Sequence, residues 1–453
     1  MDTQITPVRD WLTGTGAKFQ VTPEMLTCLH LMENTDRHLF VNGKAGTGKS
    51  TLIRMFRQKS KKQVVVLAPT GMAAVQVRGQ TVHSFFKFPP RFMPRGYVSK
   101  VFAPQVYRKA DTIIIDEISM LRADLLDAID VFLRRNGRDA SLPFGGTQIV
   151  MIGDVFQLPP IVSAQEREVF HEAYETPYFF SSEAFRNTRF ACVELPTVFR
   201  QTDDDFVYLL NKIRSGDVDR DVMEILRERV EPDLESLDRR KYVILTATNA
   251  GAKQINDFEL NRLNGQATEY TARVEGQFPQ EDRTLPAEVD LRLKIGAKVV
   301  FVRNDRGGKW VNGTVGTVTR CTPDEVEVYV DSELYTGTVA VNRESWDNIR
   351  YEFDPRTNTI KEEILGTFRQ YPLKLAWALT IHKSQGMTLD NVYLDLSKPL
   401  FAHGQAYVAL SRCRTLAGLR LSQPLLPNDI IVDKAIIDFQ RDFLYPETSL
   451  ATG

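Results

Sequence analysis

The sequence is poor in cysteine, has no long apolar run and carries almost no net charge. The four cysteines among its 453 residues stand far apart and form no C-x-x-C pair, which argues against a disulfide framework or a zinc ribbon. No apolar run approaches the roughly 18 residues that cross a bilayer, and the first residues lack the basic start and apolar stretch of a secretion signal. We therefore expect a cytoplasmic protein with no membrane partner.

Charge is distributed unevenly along the chain. Lysine and arginine total 57 against 58 acidic residues, for a net charge of −1, yet no Asp or Glu occurs from Arg37 to Lys109, where Lys and Arg number fifteen. The rest of the chain therefore carries a net charge of −16. Such asymmetry is typical of a protein with one face that meets a polyanion. Nucleic acid is the expected partner, and a face that binds only nucleotide phosphates is the alternative.

Two α/β patterns and one β-rich stretch follow one another along the chain. Within residues 1–190, short apolar runs alternate with segments of helical spacing, which predicts βαβ units and a mainly parallel sheet. These runs are 38–42, 64–68, 112–116 and 148–152. A second α/β pattern at 191–290 resumes at 366–453, and the short alternating strands of 291–365 predict a small β-barrel inserted between its two parts. The predicted fold class is α/β, with two parallel-sheet domains.

A glycine-rich loop follows the first predicted strand. The segment GKAGTGKS fits the phosphate-binding pattern G-x-x-x-x-G-K-[ST], in which backbone N–H groups at a helix N-terminus surround the β-phosphate. Lys49 would bridge the β- and γ-phosphates, and the Ser50 hydroxyl would bind Mg²⁺. The expected nucleotide-binding residues are Gly43, Ala45, Gly46, Thr47, Gly48, Lys49, Ser50 and Thr51.

Two carboxylates end the apolar run TIII. Asp116 and Glu117 would lie at the C-terminal edge of a buried parallel strand, where open α/β sheets bind ligands. Asp116 would hold Mg²⁺ together with Ser50, and Glu117 would orient the attacking water and take its proton. Gln157 in GDVFQLPP follows a further strand and is placed to hydrogen-bond the γ-phosphate or that water. The chain has no N-K-x-D motif for guanine, so ATP is the expected nucleotide.

Two arginines far from the phosphate loop complete the candidate catalytic set. Phosphoryl transfer gains roughly 10³–10⁵ in rate from arginines that touch the transferring phosphate. Arg200 in VFRQ and Arg412 in ALSRCR are candidates for this role. If both lie on the second α/β domain, the nucleotide is sandwiched between domains and closure of the cleft completes the site. Read alone, each arginine is an ordinary surface ion-pair partner.

Eight motifs occur in a fixed order along nearly the whole chain. They are GKAGTGKST, LAPTGMAA, GQTVHSFF, IIDEISML, GDVFQLPP, ELPTVFRQ, LTIHKSQGMTLD and AYVALSRCR. This series resembles the PIF-type branch, related to RecD, of the superfamily-one helicases that travel 5′→3′. The resemblance implies two RecA-like domains with ATP between them and single-stranded DNA crossing both. It also implies an SH3-like insertion at 291–365 and a small wedge at about 87–105.

The same resemblance implies a biological role. It describes an ATP-dependent DNA helicase that unwinds forked DNA and also G-quadruplexes and R-loops. Apart from the resemblance, we expect the free chain to be a monomer. DNA repair, recombination and telomere maintenance are the associated processes, and a bacterial or phage nucleoid is the expected location. An RNA helicase or remodeller of the same superfamily is one alternative. A nucleotide-gated clamp that binds single strands without unwinding is the other, and the two arginines argue against it.

The resemblance also assigns residues along the strand. Those expected to contact DNA are Thr70, Gly71, Thr81, His83, Ser84, Phe85, Thr380, His382, Lys383 and Ser384, with Gly386 beside the nucleotide. Aromatic residues between 85 and 102 interleave with basic ones, and we expect about half of them to stack on bases and the others to lie in the core. The family often has a glutamine that contacts adenine where this chain has Met25, with Gln20 and Gln4 as candidate substitutes.

Overall fold

The protein is described by a computed structural model that covers residues 21–94, 98–201, 203–233, 237, 241–279, 285–305, 307–332 and 334–444. No helix in these ranges is long and apolar enough to cross a membrane. The α-helices in these ranges are α1 Pro23–Asn34, α2 Lys49–Lys59, α3 Gly71–Gln76, α4 Val82–Phe86, α5 Gln105–Lys109, α6 Ala123–Asn136, α7 Arg167–Ala173, α8 Glu183–Arg186, α9 Asp204–Ser215, α10 Arg220–Arg227, α11 Asn249–Arg262, α12 Gln405–Leu410 and α13 Lys434–Phe439.

A six-stranded parallel sheet forms the first lobe. Its strands are β1 His38–Gly43, β2 Val64–Ala68, β3 Gln80–Thr81, β4 Thr112–Ile115, β5 Gln148–Gly153 and β6 Phe190–Leu195, in the order β3-β2-β4-β5-β1-β6. β4 and β5 are buried along their whole length, as fits β-branched runs in a sheet that is covered on both faces. Because β6 pairs with β1 over six residues, the lobe continues to Leu195, and the expected boundary at residue 190 is corrected.

A long antiparallel region follows the next strand, β7 Val243–Thr246. It comprises β8 Thr268–Thr271, β9 Arg273–Gly276, β10 Asp290–Leu293, β11 Lys298–Phe301, β12 Val315–Thr322, β13 Glu325–Asp331, β14 Thr336–Val341, β15 Glu344–Asp354, β16 Thr359–Gln370 and β17 Leu373–Leu375. Five of these form the sheet β14-β13-β12-β11-β17, and the others pair as β15-β16-β9 and β10-β8. The antiparallel region therefore extends beyond the predicted residues 291–365. Strands β8, β9 and β10 begin before residue 291, strands β16 and β17 end after residue 365, and all five pair within the region. Its SH3-like character stays a prediction.

A second parallel sheet forms the other lobe. β7 pairs there with β18 Ala378–Thr380 and β19 Val392–Leu394, and β20 Leu419–Leu421 completes the order β18-β7-β19-β20. All its described pairings are parallel. The prediction of an α/β fold with two parallel-sheet domains is confirmed.

The hairpin of β15 and β16 reaches back to the first lobe. The backbone N–H of Val66 in β2 donates to the Tyr351 hydroxyl at 3.2 Å, and the N–H of Tyr351 donates to Oε1 of Gln80 at 3.2 Å. An ion pair between Arg57 and Glu362 lies on the same side. These contacts tie the antiparallel region to the β2–β3 edge of the first sheet.

One buried apolar cluster runs through both lobes. It contains Phe40 and Ile113 of the first sheet, Leu245 and Val392 of the second, and Phe206 of α9 between them. Because the two sheets share this packing, side chains at their facing edges meet in one cleft.

Candidate functional site

The phosphate loop encloses its own lysine. Gly48 adopts φ +85° and precedes the first residue of α2, so the loop leads directly into the N-terminus of that helix. The Lys49 ammonium donates to the carbonyl oxygens of Gly43 at 2.7 Å and Lys44 at 2.9 Å. Burial lowers the pKa of Lys49, although neighbouring carboxylates oppose this effect. A phosphate would offer this ammonium stronger acceptors than the loop carbonyls do.

The two predicted carboxylates lie at the end of β4, facing Lys49. Glu117 has φ +49° and ψ +47°, a left-handed backbone that costs a residue other than glycine roughly 1–3 kcal/mol and is concentrated at functional sites. Burial and the adjacent Glu117 raise the pKa of Asp116 to about 7. Burial also raises the pKa of Glu117, against the attraction of Lys49 and Arg412. Burial at this position therefore disfavours the ionised form of both carboxylates.

The donors at this point fit a magnesium ion shared with a nucleotide. Carboxylate and hydroxyl oxygens are the ligands that Mg²⁺ prefers, and it is usually held by one or two carboxylates together with phosphates. Asp116 supplies such a carboxylate, and exposed Ser50 follows Lys49 in the loop. Within the described ranges, no group of His, Cys, Asp and Glu could hold a metal ion by itself. The arrangement therefore suits a magnesium ion that binds together with the nucleotide phosphates.

A buried network that sequence reasoning missed lies behind the loop. Asp154 is fully buried, and its Oδ1 accepts hydrogen bonds from Arg214 Nε at 3.1 Å and Nη2 at 3.0 Å. The Tyr407 hydroxyl of α12 donates to Asp154 Oδ2 at 3.1 Å and accepts from the Ala45 N–H at 3.1 Å. Although burial raises it, the cations Arg214 and Lys49 hold the pKa of Asp154 below its usual range. Asp154 stands in GDVFQLPP and Tyr407 in AYVALSRCR, so both motifs offered a signal, whereas Arg214 lies in none of the eight motifs.

The two candidate arginines meet beside the phosphate loop from opposite lobes. Arg412 follows α12 in the second lobe, is 1% exposed, and donates from Nε to the Val408 carbonyl at 2.8 Å. Burial and the neighbouring Arg200 lower the pKa of Arg412 to about 9. Nη1 of Arg200 is buried and has no hydrogen-bond partner among the described residues. An anion at this point would relieve both guanidinium groups.

Arg200 does not lie on the second domain as supposed. It follows β6 of the first sheet, and the N–H of Phe199 donates to the Gly46 carbonyl at 2.9 Å. A Cβ added at Gly46 would lie 2.4 Å from Cβ of Arg200, so only glycine fits there. Since Arg200 is anchored to the phosphate loop, Arg412 is the one of these two candidates that comes from the second lobe.

A glutamine that was not singled out bridges the predicted base and sensor. Nε2 of Gln385 donates to Glu117 Oε2 at 3.3 Å and to Gln157 Oε1 at 3.1 Å. Its position in HKSQG was the available signal. Gly386, expected beside the nucleotide, has φ +82°, and a Cβ added there would lie 3.3 Å from Oε1 of Gln76 at the end of α3.

The first-lobe residues expected along the strand lie at the starts of two short helices. Thr70 accepts from Ala73 N–H at the start of α3, and Thr81 accepts from Ser84 N–H at the start of α4, so both side chains cap helices. Gly71 begins α3. His83 is half-buried, and Ser84 is exposed.

The aromatic residues of the first lobe divide between core and surface. Phe85 is 3% exposed and packs edge-on against Phe86 and Tyr107, so its expected contact with a base is corrected: the ring has no free face. Phe88 is buried too, whereas Phe102 is fully exposed. Tyr97 lies outside the described residues.

The second-lobe residues form a tight turn after β18. Thr380 and Ser384 are buried, because their hydroxyls hold the turn: Thr380 Oγ1 accepts from Lys383 N–H at 3.2 Å, and Ser384 donates to the Ile381 carbonyl at 2.8 Å. Their side chains are not accessible to a strand in this arrangement, which corrects that expectation. His382 is exposed and Lys383 is half-exposed.

The position expected to read adenine lies in the core. Met25 in α1 is 1% exposed and packs below the first sheet, so its side chain does not reach the cleft surface. The candidate substitutes Gln4 and Gln20 lie outside the described residues.

Comparison with known proteins gives consistent matches over nearly the whole chain. The family described as PIF1-like helicase matches residues 25–224. The ATP-dependent DNA helicase Pif1 of Bdellovibrio bacteriovorus is 33% identical over 440 residues, which cover 94% of this chain and 93% of that protein.

Two solved structures of Bacteroides Pif1 resemble the chain to different degrees. The complex with ADP-AlF4 is 36% identical, covers 94% of this chain and 98% of its own, and has a TM-score of 0.86. The protein bound to ssDNA is 37% identical with the same coverage, but has a TM-score of 0.66. Since identity and coverage are nearly equal, the chain lies closer in overall arrangement to the complex with ADP-AlF4.

Proposed function

Because the chain belongs to the PIF1-like helicase family, and is therefore an ATP-dependent DNA helicase, we propose that ATP is hydrolysed between Lys49 of the first lobe and Arg412 of the second. The observation that carries this assignment is the position of Arg412, which is buried beside Arg200 and Glu117 although it belongs to the other lobe. Buried Arg412 beside half-buried Arg200, whose buried Nη1 has no partner among the described residues, forms a site that favours an anion. A γ-phosphate has the charge to satisfy it.

Each candidate residue then has a role in the reaction. Lys49 and the loop N–H groups would hold the phosphates, and Ser50 and Asp116 would hold the magnesium ion, which neutralises charge on the phosphate oxygens when bound. Glu117 would accept the proton of the attacking water. Gln157 would contact that water or the γ-phosphate. The two arginines would stabilise the charge of the transferring phosphate, and opening of the cleft would follow when that charge leaves.

We propose that the enzyme travels 5′→3′ along a single strand that crosses both lobes. In this arrangement the accessible polar groups along that path are Ser84, His382 and Lys383, which suit phosphate contacts that position a strand without reading its sequence. We propose residues 87–105 as the wedge that meets the duplex, since Phe102 is fully exposed there. We propose a monomer in the free state, with forks, G-quadruplexes and R-loops as substrates.

A strand-displacement assay with 5′-tailed and 3′-tailed duplexes tests the proposal. We expect ATP-dependent displacement of the 5′-tailed duplex only, and neither turnover nor displacement by Lys49→Ala. Displacement of the 3′-tailed duplex would overturn the polarity. Nucleotide-dependent binding without displacement would indicate a clamp, and ATPase stimulation by poly-U beyond that by poly-dT would indicate an RNA helicase. Sedimentation of the free chain tests the monomer.

A further inference from the structure

The segment that carries Arg412 is held against the first lobe at its start. Helix α12 is buried at every residue and ends two positions before Arg412. A Cβ added at Gly404, just before this helix, would lie 2.3 Å from the Phe156 carbonyl oxygen, so only glycine lets the helix come this close to the loop after β5. Nε2 of His403 donates to the Val155 carbonyl of that loop at 3.2 Å. The start of α12 therefore rests directly on the other lobe.

Tyr407 ties the middle of α12 to two parts of the first lobe. Its hydroxyl donates to Asp154 Oδ2 at 3.1 Å and accepts from the N–H of Ala45 in the phosphate loop at 3.1 Å. Because Tyr407 is 4% exposed, loss of the hydroxyl would leave both partners without ready access to water. One hydroxyl thus sets the distance between the loop that carries Lys49 and the helix that leads to Arg412.

Gln201 holds the other end of the same segment. It is 6% exposed and follows Arg200, and its Nε2 donates to the carbonyl oxygens of Ser411 at 3.0 Å and Cys413 at 3.2 Å. These two carbonyls flank Arg412 in the chain. The amide therefore fixes the backbone of one candidate arginine from the residue beside the other.

The guanidinium of Arg412 follows the position of this backbone. Its Nε donates to the Val408 carbonyl in the last turn of α12 at 2.8 Å, and its Nη2 donates to Ser411 Oγ at 2.8 Å. The side chain is therefore folded back onto the helix that Tyr407 holds. Because a misplacement of about 1 Å can cost about 10²-fold in rate, the two attachments of this segment matter for turnover.

The phosphate loop keeps its own bonds without Tyr407. The N–H of Phe199 donates to the Gly46 carbonyl at 2.9 Å, and Oγ1 of Thr47 donates to the Lys44 carbonyl at 3.0 Å. Loss of the Tyr407 hydroxyl should therefore displace α12 relative to the loop rather than distort the loop itself.

We propose that Tyr407 and Gln201 are positioning residues that hold the Arg412 guanidinium where it meets the γ-phosphate. In this role neither side chain touches the nucleotide, and each acts through the arginine. The inference rests on the proposed function, which gives Arg412 its place at the transferring phosphate.

The test measures kcat and KM for ATP, with oligo-dT present, for Tyr407→Phe and Gln201→Met, each alone and combined with Arg412→Ala. Each single variant should lower kcat about 10- to 100-fold and change KM less than about threefold, because ATP keeps its loop contacts and loses only a correctly placed arginine. In the Arg412→Ala background the same substitution should lower kcat less than about threefold. A residue that acts through Arg412 has nothing left to position there.

Tyr208→Phe is the matched control, because this tyrosine is 57% exposed on α9, with its ring beside the ammonium of Lys212. Equal losses of kcat in both backgrounds would overturn the positioning role, as would a raised KM with an unchanged kcat. Tyr407→Phe removes a single oxygen atom, so this variant decides the test even where Gln201→Met lowers stability. Near-normal turnover by Arg412→Ala alone would instead overturn the proposed function.

Discussion

The proposed nucleotide cleft and the proposed strand-binding surface use polar residues in opposite ways. In the cleft, charged groups from both lobes are buried together, and their charges are not balanced: Arg200 keeps an unpaired nitrogen, and the pKa of Asp116 is raised to about 7. Along the strand surface, most of the polar groups are already engaged, as Thr70 and Thr81 show by capping helices. The cleft is thus completed by its ligand, whereas the strand surface is structurally complete without one.

Among the substitutions that test this difference, Arg412→Ala should have the largest effect, and the quantity it changes is the kcat of ATP hydrolysis. If the cleft depends on a cation from the second lobe, kcat should fall by roughly 10³-fold or more, because the transferring phosphate loses its stabilising arginine. Steady-state ATPase assays measure this loss, with Arg220→Ala, a change at an exposed side chain in the first turn of α10, as the control. A loss below about tenfold would show that Arg412 does not touch the reacting phosphate.

Glu117→Gln should separate binding from hydrolysis. The amide keeps the size of the side chain but cannot accept the proton, so single-turnover hydrolysis should fall by roughly 10²–10⁴-fold. ATP should still bind, as titration with a fluorescent analogue would measure. Near-normal hydrolysis by this variant would show that a group other than Glu117 accepts the proton.

Phe85→Ala and Phe102→Ala test the division between core and surface. Phe85→Ala should lower the free energy of unfolding by roughly 3–5 kcal/mol, because it empties a buried aromatic position. Phe102→Ala should leave stability within about 0.5 kcal/mol and weaken strand binding by roughly 1–3 kcal/mol if the ring stacks on a base. Denaturant titration and fluorescence anisotropy measure the two quantities. If Phe85→Ala instead weakened strand binding and left stability unchanged, Phe85 would be a DNA-contacting residue.

Lys374 of β17, buried near Lys383, is a further position where buried charge is not balanced. Burial and nearby Lys383 lower the pKa of this lysine to about 8, against the attraction of Glu288. At pH 7 the charged lysine lowers the free energy of unfolding by about 3 kcal/mol at most, because its ammonium is less stable in the native state than in the unfolded chain. Between about pH 8 and 10.4 the unfolded chain binds more protons at this position than the native state does, so this destabilisation disappears as the pH rises. Lys374→Met should therefore be more stable than wild type at pH 7, with a smaller difference near pH 10. A pH-independent difference in denaturant titrations would contradict this.

Local sequence predicted the parallel strands of the first lobe and the place of its glycine-rich loop. The run at 64–68 is a strand with the expected bounds, and GKAGTGKS lies between β1 and α2. These features depend on short-range physics: β-branched runs favour buried strands, and glycines permit the left-handed backbone that a phosphate loop needs. The same reasoning wrongly predicted that Phe85 contacts DNA. The sequence around an aromatic residue among basic ones does not show whether its ring lies in the core or on the surface.

The sequence by itself determined two parallel sheets and the order of the motifs along the chain. Only the tertiary structure decided which lobe carries each arginine, that Tyr407 reaches Asp154 and Ala45, and that Gln385 spans from its own turn to Glu117 and Gln157. Each of these contacts joins residues more than 200 positions apart. Such pairings arise from the packing of two folded lobes and leave no periodicity or spacing in the chain.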